Sequence, residues 1–354
     1  GNFAHNTGEG GISDWHLEYG GDLIWQIGTG YFGCRTPEGV FDPDLFAKQA
    51  GLDVVKMIEI KISQGAKPGH GGILPASKVS AHIAEARGVP MGQDCISPPF
   101  HQSFGTPLEL MEFVAKLRDL SGGKPTGFKL CVGHPWEFLG ICKAMLESEI
   151  LPDFIVIDGK EGGTGAAPLE FSNHLGMPLR DGLIFAHNAL VGINVRDQIR
   201  ISASGKIISA FDMAANIALG ADLCASARGF MFSLGCIQSQ NCHTNRCPTG
   251  IATQAPERQR ALVVEDKAER ACLFHASTLR ALAEVAAAAG LEHPRDLKPY
   301  HLYLRPAPTD ATPADEVYRF LEPGELLVGG GDDRLRRYWA LAQAASFDRV
   351  TSQH

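Results

Sequence analysis

Three cysteines lie close together in the segment Cys236-Ile-Gln-Ser-Gln-Asn-Cys242-His-Thr-Asn-Arg-Cys247-Pro248. Thiolates are the protein ligands of iron–sulfur clusters and common ligands of zinc, and a proline follows the last cysteine in some cluster-binding segments. Three thiols suit a three-iron cluster, or a four-iron cluster with one outside ligand. Zinc held with the help of His243 is the main alternative, although zinc-binding cysteines usually stand closer together. A disulfide or a chance grouping is the remaining possibility.

A glycine-rich segment, Asp158-Gly-Lys-Glu-Gly162-Gly163-Thr164-Gly165, directly follows an apolar run. Glycines allow the backbone to approach a flat or anionic ligand without a clash with a Cβ atom. We interpret the segment as a candidate cofactor loop. A simple tight turn would have the same composition.

Two short segments with a basic residue each, Ser204-Gly205-Lys206 and Ala227-Arg228, follow the last two candidate strands. The last two loops of a (β/α)₈ barrel commonly hold a phosphate through backbone N–H groups. We therefore predict a phosphate site between these loops. The alternative is that both cations are solvated side chains in turns.

Two lysines stand in segments that contain few other charged residues, so a partner for each ammonium group has to be identified. Lys67 lies in the glycine-rich segment 64–75, where it could be held near a carboxylate substrate or a reduced flavin. Lys129 lies inside an apolar run, and a buried ammonium without a partner is very unfavourable. An anionic cofactor or an internal salt bridge would provide that partner.

Buried-strand-like runs alternate with amphipathic ones, which predicts an α/β fold with a parallel sheet. A doubly wound sheet is the alternative to a barrel. A (β/α)₈ barrel has eight strands, and we expect the chain to begin after the first βα unit. The candidate strands are 23–28, 57–63, 93–97, 127–132, 154–158, 199–204 and 223–227. The candidate helices are 107–120, 135–148, 210–219, 265–289 and 332–345.

The composition excludes several classes of protein. The net charge of −8 argues against nucleic-acid binding, which needs a basic face. The sequence contains no apolar run of the roughly 18–20 residues that a membrane helix requires. Six cysteines stand singly and are expected to be small buried side chains in a reducing compartment, which favours the cytoplasm. They are Cys34, Cys95, Cys131, Cys142, Cys224 and Cys272.

Five segments between residues 5 and 254 resemble, in the same order, the synthase domain of the glutamate synthase large subunit, in its stand-alone form. They are Asn6-Thr7-Gly8-Glu9-Gly10-Gly11, residues 64–75, Ser97-Pro98-Pro99, residues 162–168 and residues 236–254. The resemblance implies a (β/α)₈ barrel that binds FMN and a [3Fe-4S] cluster. It implies a barrel at residues 1–254, with the cluster loop at 236–247, and a helical C-terminal extension at 255–354.

The resemblance also implies an activity and a role for each site residue. FMN hydride would reduce 2-iminoglutarate, formed from 2-oxoglutarate and ammonia, to L-glutamate, with electrons arriving through the cluster. Cys236, Cys242 and Cys247 would bind the cluster. Ser204, Gly205, Ala227 and Arg228 would hold the FMN phosphate. Gln26 and Lys129 would lie against the flavin ring, near Gly162, Gly163, Thr164 and Gly165. Glu9, Lys67 and Arg87 would hold the keto-acid.

The sequence departs from the family pattern at two substrate-pocket positions. His70 stands in place of a carboxylate, and Ile73 stands in place of a glutamine that helps to hold the substrate. Two alternatives therefore stay open, an FMN and iron–sulfur barrel enzyme for another amino or keto acid, such as an N-methylglutamate synthase type, and a non-catalytic electron-transfer subunit. A glutaminase or an electron-donor subunit is a possible partner. No candidate glutaminase nucleophile stands out, so we expect the chain to use ammonia.

Overall fold

The centre of the computed structural model, which describes residues 3–163 and 165–351, is a sheet of seven parallel strands. The strand order in this sheet is β1-β2-β3-β6-β7-β8-β9. The strands of the described residues are β1 (His5–Asn6), β2 (Leu23–Ile27), β3 (Val55–Lys61), β4 (Gly72–Leu74), β5 (Cys95–Ser97), β6 (Thr126–Leu130), β7 (Phe154–Asp158), β8 (Arg200–Ser204), β9 (Leu223–Ala225), β10 (Tyr303–Leu304) and β11 (Thr312–Pro313).

The order of the strands decides between the two predicted architectures. A doubly wound sheet reverses its strand order at a switch point, whereas this sheet follows the chain from one edge to the other without reversal. The fold is therefore of the (β/α)₈-barrel type, as predicted, with seven of its strands in the described residues. All pairs in this sheet are parallel, so their carboxyl ends meet at one edge.

Along the chain, the helices up to residue 218 lie between the strands of this sheet, and those from residue 228 onwards follow its last strand. They are α1 (Asp14–Leu17), α2 (Pro43–Ala50), α3 (Ala81–Arg87), α4 (Pro107–Leu120), α5 (Pro135–Ser148), α6 (Leu179–Gly192), α7 (Ala210–Ala218), α8 (Arg228–Ser233), α9 (Pro256–Gln259), α10 (Val264–Ala288), α11 (Ala314–Val317) and α12 (Asp333–Leu341). The predicted bounds of α4 and α5 are confirmed. A proline at the first position of each helix explains why both starts are sharp.

The period-two pattern of the strands separates an apolar layer from a polar one. Trp25 and Ile27 of β2 point outwards, as do Ile58 and Ile60 of β3, and all four are buried beneath the helices. The opposite face carries polar side chains towards the barrel axis. These are Gln26, Glu59, Lys61, Lys129, Asp158 and Ser204.

One predicted barrel strand is wrong. Residues 93–97 were expected in the barrel, but β5 instead pairs antiparallel with β4 in a small separate sheet. The seventh place in the barrel sheet is taken by β1, whose two residues pair with Leu23 and Ile24. A two-residue strand is too short to give a hydrophobic pattern.

An aromatic cluster links the two edges of the barrel sheet. Phe3, just before β1, packs against Phe230 of α8 and His275 of α10, with ring centroids 4.9 and 4.7 Å apart. Phe230 also contacts Phe274 in an edge-on arrangement at 5.2 Å. Because α8 follows β9, these contacts bring the neighbourhoods of the first and last strands together.

The C-terminal part packs onto the barrel. Helix α10 lies against α7 and α8, and α12 lies against α5. Leu282, Leu297 and Leu326 belong to the same hydrophobic core as the barrel strands. The boundary at residue 254, just before α9, stays a prediction. Among the described helices, none combines the length and the apolar character needed to cross a bilayer.

Candidate functional site

A pocket opens at the carboxyl end of β3. Its lining includes Glu9, Lys61, Gln64, Lys67 and His70. Lys61 Nζ lies 2.8 Å from Glu9 Oε1 and donates a hydrogen bond of 2.6 Å to Gln64 Oε1. The side chains of Lys61 and Glu9 both stay partly exposed, so this ion pair faces the pocket instead of the core.

The electrostatics of this pocket act in different ways on Glu9 and on Lys67. Burial alone would raise the pKa of Glu9, but Lys61, with help from Lys67 and Arg87, holds that pKa below its ordinary value. Burial, together with the charge of Lys61, lowers the pKa of Lys67. Among the described residues Lys67 has no carboxylate within salt-bridge distance, and its Nζ donates to the Gly71 carbonyl at 3.0 Å. It can therefore accept an anionic ligand.

Arg87 lies beside this pocket and not in its lining. Its guanidinium stacks over the Phe32 ring at 4.7 Å, and Nη1 lies 3.7 Å from Cys95 Sγ. No carboxylate among the described residues pairs with it. The Cβ that a side chain at Gly10 would add comes within 3.4 Å of Arg87 Nη2, so Gly10 leaves room for the guanidinium.

His101, Lys61 and Gln64 were not predicted as site residues. Burial lowers the pKa of His101 to about 4, and the neutral ring lies 2.9 Å from the Lys61 carbonyl and 3.1 Å from the Tyr31 hydroxyl. It thereby fixes the end of β3. The sequence held a signal for Lys61, because Glu59 and Lys61 are charged at alternate positions within the otherwise apolar run 57–62.

Asp158 connects the pocket to the glycine-rich segment. Its buried carboxylate accepts hydrogen bonds from Gly65 N at 2.7 Å and from Ser204 Oγ at 2.8 Å. Lys129 Nζ lies 3.5 Å from the same carboxylate, so the internal salt bridge that the sequence left open is present. Although burial alone would lower the pKa of Lys129, Asp158 and Glu59 raise it above its ordinary value.

Gln26 is buried between β2 and β3. Its side-chain amide donates to Glu59 Oε1 at 2.5 Å. Gln26 and Lys129 therefore both lie on the polar face towards the barrel axis. Gln26 binds Glu59 there, and Lys129 binds Asp158. In each case the contact with a carboxylate fixes the direction of the donor group, the amide of Gln26 or the ammonium of Lys129.

The loops after β7, β8 and β9 meet at the predicted phosphate site. Gly159 N donates to Ser204 O at 2.8 Å, and Arg228 Nη2 donates to Gly163 O at 3.4 Å. Gly205 has a φ of +135°, and an added Cβ would approach the amide nitrogens of Gly159 and Gly162 at 3.2 and 3.5 Å. Glycine is therefore required there.

The backbone around this junction fits an anion. The amides of Gly205, Lys206 and Ala227 have no acceptor within residues 3–163 and 165–351. Lys206 itself points to Asn173, with Nζ 2.8 Å from Oδ1. Unpaired amides together with Arg228 are what a phosphate group requires. Thr164, the remaining residue predicted here, lies outside the described residues.

The cysteine loop, which we define as residues 236–254, contacts the glycine-rich segment. A Cβ added at Gly165 would lie 2.7 Å from Cys242 Sγ, so this contact requires glycine. Burial alone would raise the pKa of Cys247, but hydrogen bonds from Thr249 and from the amides of Ala252, Thr249 and Ile251 hold it below its ordinary value. A thiol stabilised as thiolate has the chemistry of a metal ligand.

The three thiols do not converge in this structure. Cys236 and Cys242 are half-buried and Cys247 is buried, and all nine cysteines are free. Within the described ranges, no three His, Cys, Asp or Glu side chains lie close enough together to hold one metal ion. The residue types fit an iron–sulfur cluster, whereas their present arrangement does not form a site.

The isolated cysteines follow the prediction only in part. Cys34, Cys95, Cys131 and Cys142 are buried, and Cys224 is half-buried. Cys272 is exposed, because it faces solvent on α10. The side of the helix on which a residue lies decides its exposure, and apolar neighbours in the sequence do not decide it.

The two departures that were predicted in the substrate pocket occupy different places. His70 lies at the pocket, with Nδ1 2.5 Å from the Gly71 carbonyl and its ring edge-on to Phe171. Ile73 pairs with Ile96 across β4 and β5, and both side chains are more than 60% exposed. Ile73 therefore points away from the pocket.

The comparisons with known proteins agree in their family. Residues 1–292 match the family described as the conserved region in glutamate synthase. The chain is 43% identical over 300 residues to the glutamate synthase large subunit-like protein YerD of Bacillus subtilis, covering 85% of this chain and 57% of that protein. It is 35% identical over 293 residues to the archaeal glutamate synthase [NADPH] of Methanocaldococcus jannaschii, covering 82% and 54%.

Two further matches extend this picture. The ferredoxin-dependent glutamate synthase of Cyanidium caldarium is 36% identical over 262 residues, which is 73% of this chain and 16% of that one. A mutant flavocytochrome b2 with pyruvate bound has a TM-score of 0.50 at 16% identity, covering 90% of this chain and 66% of that chain. This last likeness concerns the fold alone. The chain spans little more than half the length of the first two relatives.

Proposed function

The chain belongs to the glutamate synthase family, and we propose on that premise that it forms the FMN-binding barrel that reduces 2-iminoglutarate to L-glutamate. One observation carries this proposal. The hydrogen bond from Gly65 N to Asp158 joins the segment that carries Lys67 to the base of the glycine-rich loop. A cationic pocket and a candidate cofactor site therefore share one wall.

The residues at the junction of the last three barrel loops fit FMN. The amides of Gly205, Lys206 and Ala227, which have no acceptor in the described part of the chain, would hold its phosphate together with Arg228. Gln26 and Lys129, each backed by a carboxylate, would face the ring from the polar layer of the barrel. When bound and reduced, FMN supplies the hydride.

The pocket residues would bind and orient the keto-acid. Lys67 in the pocket and Arg87 beside it, which have no carboxylate partner among the described residues, would hold the two carboxylates of 2-oxoglutarate. Glu9, kept ionised by Lys61, would accept a hydrogen bond from the nitrogen of the imine. Fixing the substrate in this way lowers the barrier by orientation. The nitrogen would come from ammonia, either free or supplied by a partner subunit.

The cluster is the second part of the proposal. We infer from the donor chemistry that Cys236, Cys242 and Cys247 bind a [3Fe-4S] cluster once the loop closes around it. The contact of Cys242 with Gly165 would place the cluster beside the cofactor loop. A cluster at this position could pass electrons to the flavin from a donor subunit in the cytoplasm.

A different keto-acid is the second candidate, and His70 favours it. This imidazole stands at the pocket where the family pattern has a carboxylate, so the charge that the substrate meets is changed. A panel of keto-acids offered to the reduced protein with ammonium, and with methylammonium, separates the candidates. If flavin reoxidation is fastest with 2-oxoglutarate and ammonium, the result supports glutamate synthesis. If it is faster with another keto-acid or with methylammonium, that combination replaces 2-oxoglutarate and ammonium as the proposed substrates.

The cofactor proposal is tested directly on the purified protein. Acid extraction should release FMN, and analysis should find iron and acid-labile sulfide. Extraction of FAD, or of no flavin after incubation with FMN, contradicts the flavin assignment. One zinc per chain without sulfide contradicts the cluster.

A further inference from the structure

Lys78 connects the pocket segment to the cysteine loop. It ends a short 3₁₀ turn, Ala76–Lys78, that directly follows the segment with Lys67 and His70. Its Nζ donates to the Cys242 carbonyl at 2.8 Å and to the Ala252 carbonyl at 3.3 Å. One ammonium therefore joins two points of the cysteine loop that are ten residues apart in sequence.

The base of this lysine is held firmly. Ala76 N donates to Asp94 Oδ1 at 2.7 Å, and Gly92 N donates to Val79 O at 3.2 Å. Val79 is buried in a small apolar cluster with Phe32 and Cys95. The backbone on both sides of Lys78 is thus held against residues 92–95, next to β5, and only the lysine side chain extends towards the cysteine loop.

The ammonium of Lys78 binds backbone carbonyls instead of a carboxylate. Within the described part of the chain it has no carboxylate at salt-bridge distance. Its two hydrogen-bond acceptors, the carbonyls of Cys242 and Ala252, both belong to the cysteine loop.

We propose that Lys78 is a positioning residue that holds the cysteine loop against the pocket wall and keeps Cys242 in contact with Gly165. Loss of this clamp would free residues 240–252 while the pocket itself stayed formed. Lys78 does not line the pocket, so its effect on turnover would come through the loop.

Hydrogen–deuterium exchange on the purified chain tests the clamp. In Lys78→Met, amides in residues 240–252 should exchange about tenfold faster or more, because two hydrogen bonds from a charged donor are lost. Lys78→Arg should restore most of the protection. Lys124→Met is the matched control, because Lys124 Nζ also bridges two carbonyls, those of Ala50 and Leu52, at 2.5 and 2.9 Å.

The control should leave residues 240–252 unchanged. Unchanged exchange there in Lys78→Met, or an equal rise in Lys124→Met, overturns the inference. If Lys78→Met does not fold, Lys78→Gln is measured in the same way, with the same outcomes for and against.

The effect on catalysis rests on the proposed function and is measured separately. In the loaded enzyme, Lys78→Met should lower kcat several-fold with an unchanged KM for 2-oxoglutarate, and Lys78→Arg should recover kcat. A raised KM with an unchanged kcat contradicts a role through the loop. A wild-type chain without any turnover rejects the proposed function, while the exchange measurement still decides the clamp.

Discussion

Replacing Asp158 with asparagine should destabilise the barrel strongly, because one buried carboxylate holds three partners. It accepts hydrogen bonds from Gly65 N and Ser204 Oγ and pairs with Lys129 Nζ at 3.5 Å. Asparagine keeps the shape but removes the charge, which leaves the ammonium of Lys129 buried without an anionic partner. It also offers only one acceptor oxygen where two are in use.

The expected magnitude follows from burial. Side-chain exposure is 19% for Lys129 and 4% for Asp158, and removing one partner of a buried ion pair lowers the free energy of unfolding by about 3–5 kcal/mol. The matched control is Asp22→Asn. Asp22 pairs with Lys56 at 3.9 Å, with side chains 62% and 53% exposed, and exposed pairs contribute only about 0–1 kcal/mol.

Urea denaturation of the flavin-free protein, followed by circular dichroism, measures both variants, and a double-mutant cycle identifies the cause. In a Lys129→Met background, Asp158→Asn should lose much less stability, because no unpaired ammonium remains. An equal loss in both backgrounds would assign the effect to Gly65 and Ser204 instead. A loss below about 1 kcal/mol for the single variant would refute the reasoning about the buried pair.

Three further predictions concern the site. Arg228→Ala should weaken FMN binding about tenfold or more in a fluorescence titration, because a charge-assisted hydrogen bond contributes about 1.5–3 kcal/mol; unchanged affinity would return Arg228 to the class of solvated cations. Glu9 has a lowered pKa in the folded state, so its contribution to stability is present above its unfolded pKa and is lost as the pH falls through the folded value. Glu9→Gln should therefore show a smaller difference in unfolding free energy between about pH 6 and pH 3 than the wild type, and equal differences would contradict the Lys61 pairing. Cys242→Ser should lose iron and sulfide but keep the circular dichroism of the barrel, and retention of both elements would remove Cys242 from the ligand set.

Local sequence predicted the elements with strong end signals. Helix α4 begins at Pro107, and its capping residues Thr106 and Glu109 satisfy the first amides. Such signals depend on neighbours in the chain and are visible without a structure. The same holds for the apolar strands β7 and β8, since buried parallel strands are continuous apolar runs.

Pairing between distant segments could not be predicted in this way. Residues 93–97 have the composition of a barrel strand, but the partner that captures them is β4, which shows no strand pattern of its own. The side-chain network was equally hidden. That Asp158 would bind Gly65, or that Lys78 would bind the carbonyl of Cys242, depends on contacts between segments 93 and 164 residues apart.

The measurement that tests the central claim most directly is anaerobic stopped-flow reoxidation of the FMN-loaded, reduced protein. With 2-oxoglutarate and ammonium together, flavin reoxidation should be fast and should yield one L-glutamate per flavin, whereas either compound alone should give no acceleration. Lys67→Ala should need a much higher 2-oxoglutarate concentration for the same rate while retaining its FMN. Reoxidation that ignores 2-oxoglutarate and ammonium, or that yields no L-glutamate, would contradict the proposed function.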